Sequence, residues 1–360
     1  MKPKVLHIHF WADIRNSAGS VEKVITAFAA HGERYAHAIA CCPSGRPAAP
    51  ATFRHHGVEV HSFHENRLQN RILNKMLRRG AFTYGSLVRL IDRLRPDILH
   101  FHNRQELVDA VMRRLAHRPK VAVHYHRHFA DPCVPAAADL LLFISDATAA
   151  DILGKRPSRK PYRVVANPLS VEVLAHAQGG AEPSRNTPPV ILFGGGANPI
   201  KGGRELVEAF LALPAGSARL VLAGRGVEKF GITAPNIEVL GEVPADRFFE
   251  LMRKADVVAM PSYDEPFGLI AQEAMLMGKL LVSTATGGLA DFVDASSAVV
   301  VAPRDVASLR DGLARALELL SRDAELRRLL DRARANIDAY SPDKIVSLLE
   351  ACYDNIHRQS

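Results

Sequence analysis

Residues 257–274 read Val257-Val-Ala-Met260-Pro-Ser-Tyr-Asp-Glu265-Pro-Phe-Gly-Leu-Ile-Ala-Gln-Glu273-Ala. A short, wholly apolar run is followed by a turn rich in Pro, Ser and Asp, and then by a helical pattern. That is a buried-type strand feeding a helix, the unit from which parallel sheets are built. Pro266 suits a first helical turn, so the helix is expected over 267–277, closed by Gly278. Phe267, Gly268 and Leu269 then offer backbone N–H groups at a helix N-terminus, where a phosphate is favoured. Glu265 precedes this helix, and Glu273 lies about two turns along it on a similar face. Two carboxylates at such an end can accept hydrogen bonds from the hydroxyls of a sugar and a ribose. A capping carboxylate plus a surface Glu would give the same pattern.

The same alternation runs outward in both directions. Strands are expected over 4–10, 36–41, 58–63, 98–102, 121–126, 140–145 and 163–166, with helices over 20–30, 86–94, 106–116 and 146–153 between them. After residues 168–189, rich in Pro, Gly and polar residues, a second series begins. It has strands over 190–193, 218–223, 237–240, 257–260, 280–283 and 298–301. Helices are expected over 205–213, 245–254 and 267–277, one long helix over 306–336, and a last one over 342–358. Repeated βα units predict two doubly wound parallel sheets. The boundaries are 1–168 for a first domain, 169–189 for a linker, 190–341 for a second domain and 342–360 for a terminal helix. Ligands of open α/β sheets bind beyond the carboxyl ends of the strands, so a cleft between two such sheets is the expected site.

Composition narrows the class. The chain has 360 residues, of which 48% are hydrophobic and 23% charged, which excludes wholesale disorder. Four cysteines, two of them adjacent and none in a C-x-x-C pair, make no disulfide framework, so a reduced cytoplasmic protein is expected. The opening MKPKVLHIHFW is broken by His7 and His9 and reads as a first strand, not a signal peptide. Residues 1–170 hold 26 Lys and Arg against 13 Asp and Glu, a balance of +13; residues 171–360 hold 20 against 25, a balance of −5. Fourteen of the sixteen histidines also precede residue 171. The basic half should meet something anionic. Nucleic acid is not expected, because the basic residues lack interleaved aromatics.

Three further features carry chemistry. Phe193-Gly-Gly-Gly-Ala-Asn-Pro-Ile-Lys201-Gly-Gly is a glycine-rich turn between strand and helix with a lysine at its end. Gly194, Gly195 and Lys201 can bring N–H groups and one cation to a phosphate, although a tight turn with a solvated lysine is the plainer reading. No G-x-G-x-x-G follows the first strand, so no dinucleotide cofactor is indicated. His7 and His9, His100 and His102, and His124, His126 and His128 sit at strand ends, where alternate residues share a face. A metal site is one reading of them and ordinary strand-end histidines another. Residues 66–79 (NRLQNRILNKMLRR) space Leu68, Ile72 and Met76 by four, with Arg67, Arg71, Lys75, Arg78 and Arg79 among the basic residues. This is a basic amphipathic helix, either membrane-facing or an ordinary surface helix.

Glu265 and Glu273 within EPFGLIAQEA resemble the E-x7-E motif of the family 4 retaining glycosyltransferases. Ala255-Asp256 through Pro261-Ser262, Gly278, Gly287-Gly288, the 194–202 loop and Asn167 are similar to that family's flanking stretches. The resemblance implies the GT-B architecture, with two Rossmann-like doubly wound domains facing a cleft. The second domain would hold the donor, and the last helix would return toward the first. It implies transfer of a hexosyl unit from a nucleotide diphosphate sugar to a glycan or lipid-linked acceptor in cell-surface polysaccharide or lipopolysaccharide-type synthesis. No cofactor and no metal are implied, consistent with the lack of a D-x-D.

The resemblance also distributes roles. Lys201, Gly19, Ser20, Gly194, Gly195 and the N–H groups of Phe267, Gly268 and Leu269 would hold the diphosphate, Glu273 the ribose and Glu265 the sugar hydroxyls. His126, or next His124, would touch the sugar. The family's loop arginine is Gly195 here, so Arg204 or Arg225 would have to compensate. Together with the basic run, a lipid-linked acceptor implies a peripheral position at an anionic inner membrane face. The alternatives are a nucleotide-sugar epimerase or sugar phosphorylase of similar fold, or an inactive relative that binds glycan or membrane.

Overall fold

The computed structural model describes residues 2–10, 20–42, 51–63, 84–177 and 185–358. They divide into two compact units, residues 1–170 with 342–360, and residues 171–341. The first unit is built on β1 (Lys4–Phe10), β2 (Ala36–Cys42), β3 (Thr52–His55), β4 (Val58–Ser62), β5 (Ile98–His102), β6 (Lys120–Tyr125), β7 (Leu140–Phe143) and β8 (Tyr162–Val164). They form one sheet in the order β3-β4-β2-β1-β5-β6-β7-β8. All pairs are parallel except β3 with β4. That edge hairpin was not expected from the sequence. Its turn is His56-Gly57, both at positive φ (46° and 79°), the geometry of a two-residue hairpin loop without the usual Asn-Gly signature.

β1 shows how sequence sets the layers. From Val5 onward it is buried on both faces, because helices cover a parallel sheet above and below. Leu6, Ile8 and Phe10 point into one core, with Leu99, Phe101, Val121, Val123 and Phe143. His7 and His9 take the opposite face, where the helix Ser20–Ala30 and the last helix Pro342–His357 lie. The parallel register places His7 beside His100 and His102 beside His124.

The second unit is an all-parallel sheet of β9 (Val190–Phe193), β10 (Arg219–Ala223), β11 (Ile237–Gly241), β12 (Val257–Met260), β13 (Leu280–Ser283) and β14 (Val299–Val300). Its order is β11-β10-β9-β12-β13-β14. The order reverses between β9 and β12, and the turns after these two strands carry the glycine-rich loop and Glu265.

Three expectations need correction. Residues 168–189 are not all linker, since Val171–Ala177 is helical. The helix expected over 267–277 spans Leu269–Leu276, with Gly268 (φ 104°) as its N-cap, so Pro266 and Phe267 stand in the turn before it. The long helix over 306–336 is two, Val306–Leu319 and Asp323–Ile337. Ser321 Oγ bonds the Glu318 carbonyl at the break, offering the backbone a non-helical partner. Arg315 and Arg322, each paired with both Glu318 and Glu325, hold the corner.

Candidate functional site

In the second unit the loop after β9 and the loop after β12 are tied together. The Tyr263 N–H donates to the Ile200 carbonyl at 2.7 Å. Asn198 caps the short 3₁₀ turn Pro199–Lys201 by accepting from the Ile200 N–H, and so fixes the stem of Lys201. Lys201 Nζ then donates to Glu265 Oε2 at 2.5 Å, and Ser262 Oγ donates to the same oxygen at 3.3 Å. The lysine side chain is 27% exposed and the glutamate 9%. Thr284 Oγ1 and Thr286 Oγ1 both donate to the Ser262 carbonyl, at 2.6 and 3.1 Å. The turn carrying Glu265 is therefore pinned by the segment that follows β13.

Glycine is required at two points. A Cβ at Gly195 would stand 2.6 Å from Phe193 Cζ and 2.9 Å from Lys201 Cβ, so no arginine fits there without moving the lysine. Gly287 has φ +57°, and a Cβ there would lie 2.2 Å from the Glu265 carbonyl oxygen. The chain at 287–288 thus presses onto the Glu265 backbone, and the Gly288 N–H bonds that carbonyl at 2.8 Å. Just beyond, the helix Leu269–Leu276 begins with no side-chain cap; the Ala271 N–H turns onto the Gly268 carbonyl at 3.0 Å, and the N–H groups of Leu269 and Ile270 precede it at the helix mouth. Glu273 lies on this helix and is buried.

The proposed substitutes for the missing arginine are occupied elsewhere. Arg225 makes a two-pronged bond to Glu242 at 3.1 and 2.9 Å, and its side chain is 85% exposed. Arg204 stacks over Phe230 at 5.1 Å. Lys201 is thus the cation that the structure places against Glu265. Gly19 and the run Arg67, Arg71, Lys75, Arg78 and Arg79 lie outside the described residues; Ser20 is the exposed first residue of its helix.

In the first unit the histidines form a chain that crosses the sheet diagonally. His37 Nε2 is 3.1 Å from Glu350 Oε1, and His37 Nδ1 is 2.9 Å from His7 Nε2. His7 Nδ1 is 3.0 Å from His102 Nε2, and His102 Nδ1 is 2.8 Å from His126 Nε2. His126 Nδ1 is 3.2 Å from Asn167 Oδ1. Beside the chain, His100 Nδ1 meets Tyr353 Oη at 2.6 Å and His124 Nε2 meets the Val165 carbonyl at 3.0 Å. Burial, followed by the neighbouring imidazoles, pushes His7, His100 and His102 well below the ordinary histidine range. Burial lowers His126 likewise, and pushes His124 down to about 3 against its bond to Val165. For Glu350, burial pushes the carboxyl up, but N–H bonds from His37, Arg34 and Tyr35 outweigh it and hold the pKa at about 2.

His126 Nδ1 thus meets Asn167 and its Nε2 faces His102 Nδ1, so a sugar hydroxyl would have to displace one of these neighbours to reach the ring. His37 and Glu350 were not singled out by sequence. His37 alternates with Ile39 and Cys41 on β2, and Glu350 follows the apolar Leu349 in the last helix, which are the local signals available. A cavity of about 870 Å³ in the same unit is lined by His9, His102, Arg104 and Arg127, among others.

Known proteins resemble this chain in sequence over part of its length and in fold over all of it. Residues 188–319, which contain the Lys201 and Glu265 loops, match the family Glycosyl transferases group 1. A D-inositol 3-phosphate glycosyltransferase of Nocardia farcinica is 31% identical over 186 residues, covering 46% of this chain and 40% of that protein. The chain thus spans less than half the length of that relative. Sucrose-phosphate synthase from Thermosynechococcus elongatus superposes with a TM-score of 0.75 at 19% identity, over 100% of both chains. Anabaena HepE in complex with UDP and glucose superposes with a TM-score of 0.72 at 16% identity, over 98% of this chain and 100% of that one. Residues 188–319 of this chain thus match the group 1 glycosyltransferase family, and the whole chain has the GT-B fold.

Proposed function

We propose that this chain is a retaining glycosyltransferase that moves a hexosyl unit from a nucleoside diphosphate sugar to a hydroxyl of a glycan or lipid-linked acceptor, with no metal ion in the transfer. The observation that carries the reading is the Lys201–Glu265 pair at the mouth of an uncapped helix start. A donor diphosphate placed there takes the lysine and the free N–H groups. Glu265, released from Lys201, is left to accept from sugar hydroxyls. In the step itself an acceptor oxygen bonds to the anomeric carbon, the bond from that carbon to the diphosphate oxygen breaks, and the acceptor proton passes to the departing phosphate. Stabilising the charge that builds on that phosphate is the greatest help such a site can give to the reaction. Glu273 is assigned to the ribose, where its contribution is to binding.

The relatives support the donor class, since neighbouring structures are described with UDP and glucose, with UDP-2-fluoro glucose and with ADP. The cavity of the first unit, with Arg104 and Arg127 on its wall, is the candidate for the acceptor. The basic first half is assigned to an anionic membrane face, where a lipid-linked acceptor would be met.

A thermal-shift screen with UDP, GDP, ADP and their hexose esters tests the donor reading. A ligand that binds only the folded state raises the midpoint by mass action. One nucleotide series should stabilise the wild type, and its effect should vanish in Lys201→Ala. No stabilisation by any of them would defeat the reading. Retention is checked by the anomeric configuration of the glycoside formed with methanol as acceptor.

A further inference from the structure

The hydrogen-bond chain in the first unit leaves a defined gap when its protons are counted. At one end Glu350 is a carboxylate that also accepts from the backbone N–H groups of Arg34 and Tyr35, so His37 must donate to it through Nε2. A neutral imidazole has one N–H. His37 Nδ1 then accepts from His7 Nε2, and His7 Nδ1 accepts from His102 Nε2. The Nδ1 of His102 is left as a bare lone pair. At the other end the Asn167 carbonyl oxygen accepts from His126 Nδ1, which leaves His126 Nε2 bare. These two bare nitrogens face each other at 2.8 Å.

A third lone pair completes the set. The Val165 carbonyl can only accept, so His124 carries its proton on Nε2 and its Nδ1 is bare. That Nδ1 is buried and has no hydrogen-bond partner among the described residues, and His124 as a whole is 0% exposed. One ring nitrogen from each of His102, His124 and His126 lies within 4.8 Å of the others. Three buried lone pairs brought close together repel one another, and a cation among them relieves that repulsion.

A single added proton, whether on His37 beside Glu350 or between His102 and His126, completes the chain but leaves His124 Nδ1 unmet. A metal ion uses all three. We propose that His102, His124 and His126 form a three-imidazole site for a divalent transition metal of the zinc class, bound through His102 Nδ1, His124 Nδ1 and His126 Nε2.

The surroundings have the form such a site needs. Each ligand ring donates its other N–H to an acceptor, His124 to a backbone carbonyl, His126 to Asn167, and His102 through His7 and His37 to the Glu350 carboxylate. Acceptors of this kind fix ring orientation and raise ligand basicity. Nitrogens about 2.1 Å from a tetrahedral ion lie roughly 3.4 Å apart, so the rings of His102 and His126 part by about half an ångström on binding. His102 also lines the 870 Å³ cavity, the side from which an ion would have to enter. The neighbouring group His7, His100 and His102 makes no second site, because the His102 Nε2–H already fills the space toward His7. The inference concerns an ion resident in the first unit and does not depend on the glycosyltransferase reading.

The test uses tag-free, chelator-treated full-length protein. Zn²⁺ is titrated in competition with a chromophoric chelator, and Co²⁺ binding is followed by its visible d–d absorption. The wild type should take up one equivalent, show intense Co²⁺ bands of a four-coordinate site and melt at a higher temperature with Zn²⁺ than without. Asn167→Ala, which removes only an outer partner, should weaken affinity about 10–100-fold. His124→Ala should lose the Co²⁺ bands, and His117→Ala, away from the site, should change neither. Failure of the wild type to bind either ion would overturn the proposal, most directly if imidazole ¹H–¹⁵N spectra showed one shared proton between His102 and His126. Equal binding by wild type and His124→Ala would overturn it as well.

Discussion

The two units hold their polar groups in opposite ways. In the second unit Lys201 and Glu265 sit on adjacent loops at the strand ends, partly open, and satisfy each other while keeping a surface from which a ligand can separate them. In the first unit the imidazoles lie buried along one face of the sheet, and strand register sets which rings meet. An ion pair at a loop is built to exchange partners, whereas a buried imidazole chain is built to hold one proton pattern. The contrast explains why burial shifts the histidines strongly, while the Lys201 turn is shaped locally, by its glycines and the Asn198 cap.

Breaking the exposed side of this contrast should give the largest effects. Lys201→Ala should lower kcat/KM for the donor by about 100-fold or more, roughly 3 kcal/mol of transition-state stabilisation. Its thermal midpoint should fall by only a few degrees, because the lysine is partly exposed and Ser262 still bonds Glu265. Near-normal kcat/KM would remove the phosphate role. On the enclosed side, Glu350 has a folded pKa of about 2 against an ordinary 4.5. A group with a depressed folded pKa stabilises the fold above its unfolded value and loses that stabilisation as pH falls through the folded one. Stability should therefore drop by something on the order of 3 kcal/mol between about pH 4.5 and pH 2. Glu350→Gln should flatten that part of the profile in chemical denaturation, and an unchanged profile would remove the Glu350–His37 end of the chain.

Two smaller effects sharpen the assignments. Glu273→Gln should raise KM for the donor about tenfold with kcat nearly kept, because a ribose contact is equal in ground and transition states. Glu265→Gln should chiefly lower kcat, and the reverse outcome would exchange the two roles. Smallest per residue is the basic half. Each Lys or Arg near an anionic surface contributes about 1 kcal/mol. Replacing Arg71, Lys75, Arg78 and Arg79 with Gln should abolish co-sedimentation with phosphatidylserine vesicles at low salt. A wild type that never sediments would remove the membrane role assigned to the run.

What the sequence made legible follows the same divide. The strand–turn–helix at 257–274 is local, so Glu265 and the helix could be read from spacing alone, down to an error of two residues at its start. That error came from Pro266, whose fixed φ fits a turn as well as a first helical position, whereas Gly268 at φ 104° marks the true cap. The histidines at 7, 100, 102, 124 and 126 were visible as alternating residues. Their chain was not, because it joins β2, β1, β5 and the end of β6 through register, and ends on Glu350, more than 300 residues from His37. The β3 edge strand was hidden by an unusual His-Gly turn, and the break at Ser321 by a stretch with no Gly or Pro. Pairings of high sequence separation are set by packing, which single-chain periodicity does not encode.

The central claim is cleavage of a nucleoside diphosphate sugar at the Lys201–Glu265 site. Its most direct test is release of free nucleoside diphosphate from UDP-glucose, GDP-mannose or ADP-glucose offered singly, with water standing in for the acceptor. One donor should be cleaved slowly by the wild type and not detectably by Lys201→Ala or Glu265→Gln of equal stability. Cleavage of none of the three and of no other nucleotide sugar, or equal cleavage by wild type and both variants, would contradict it.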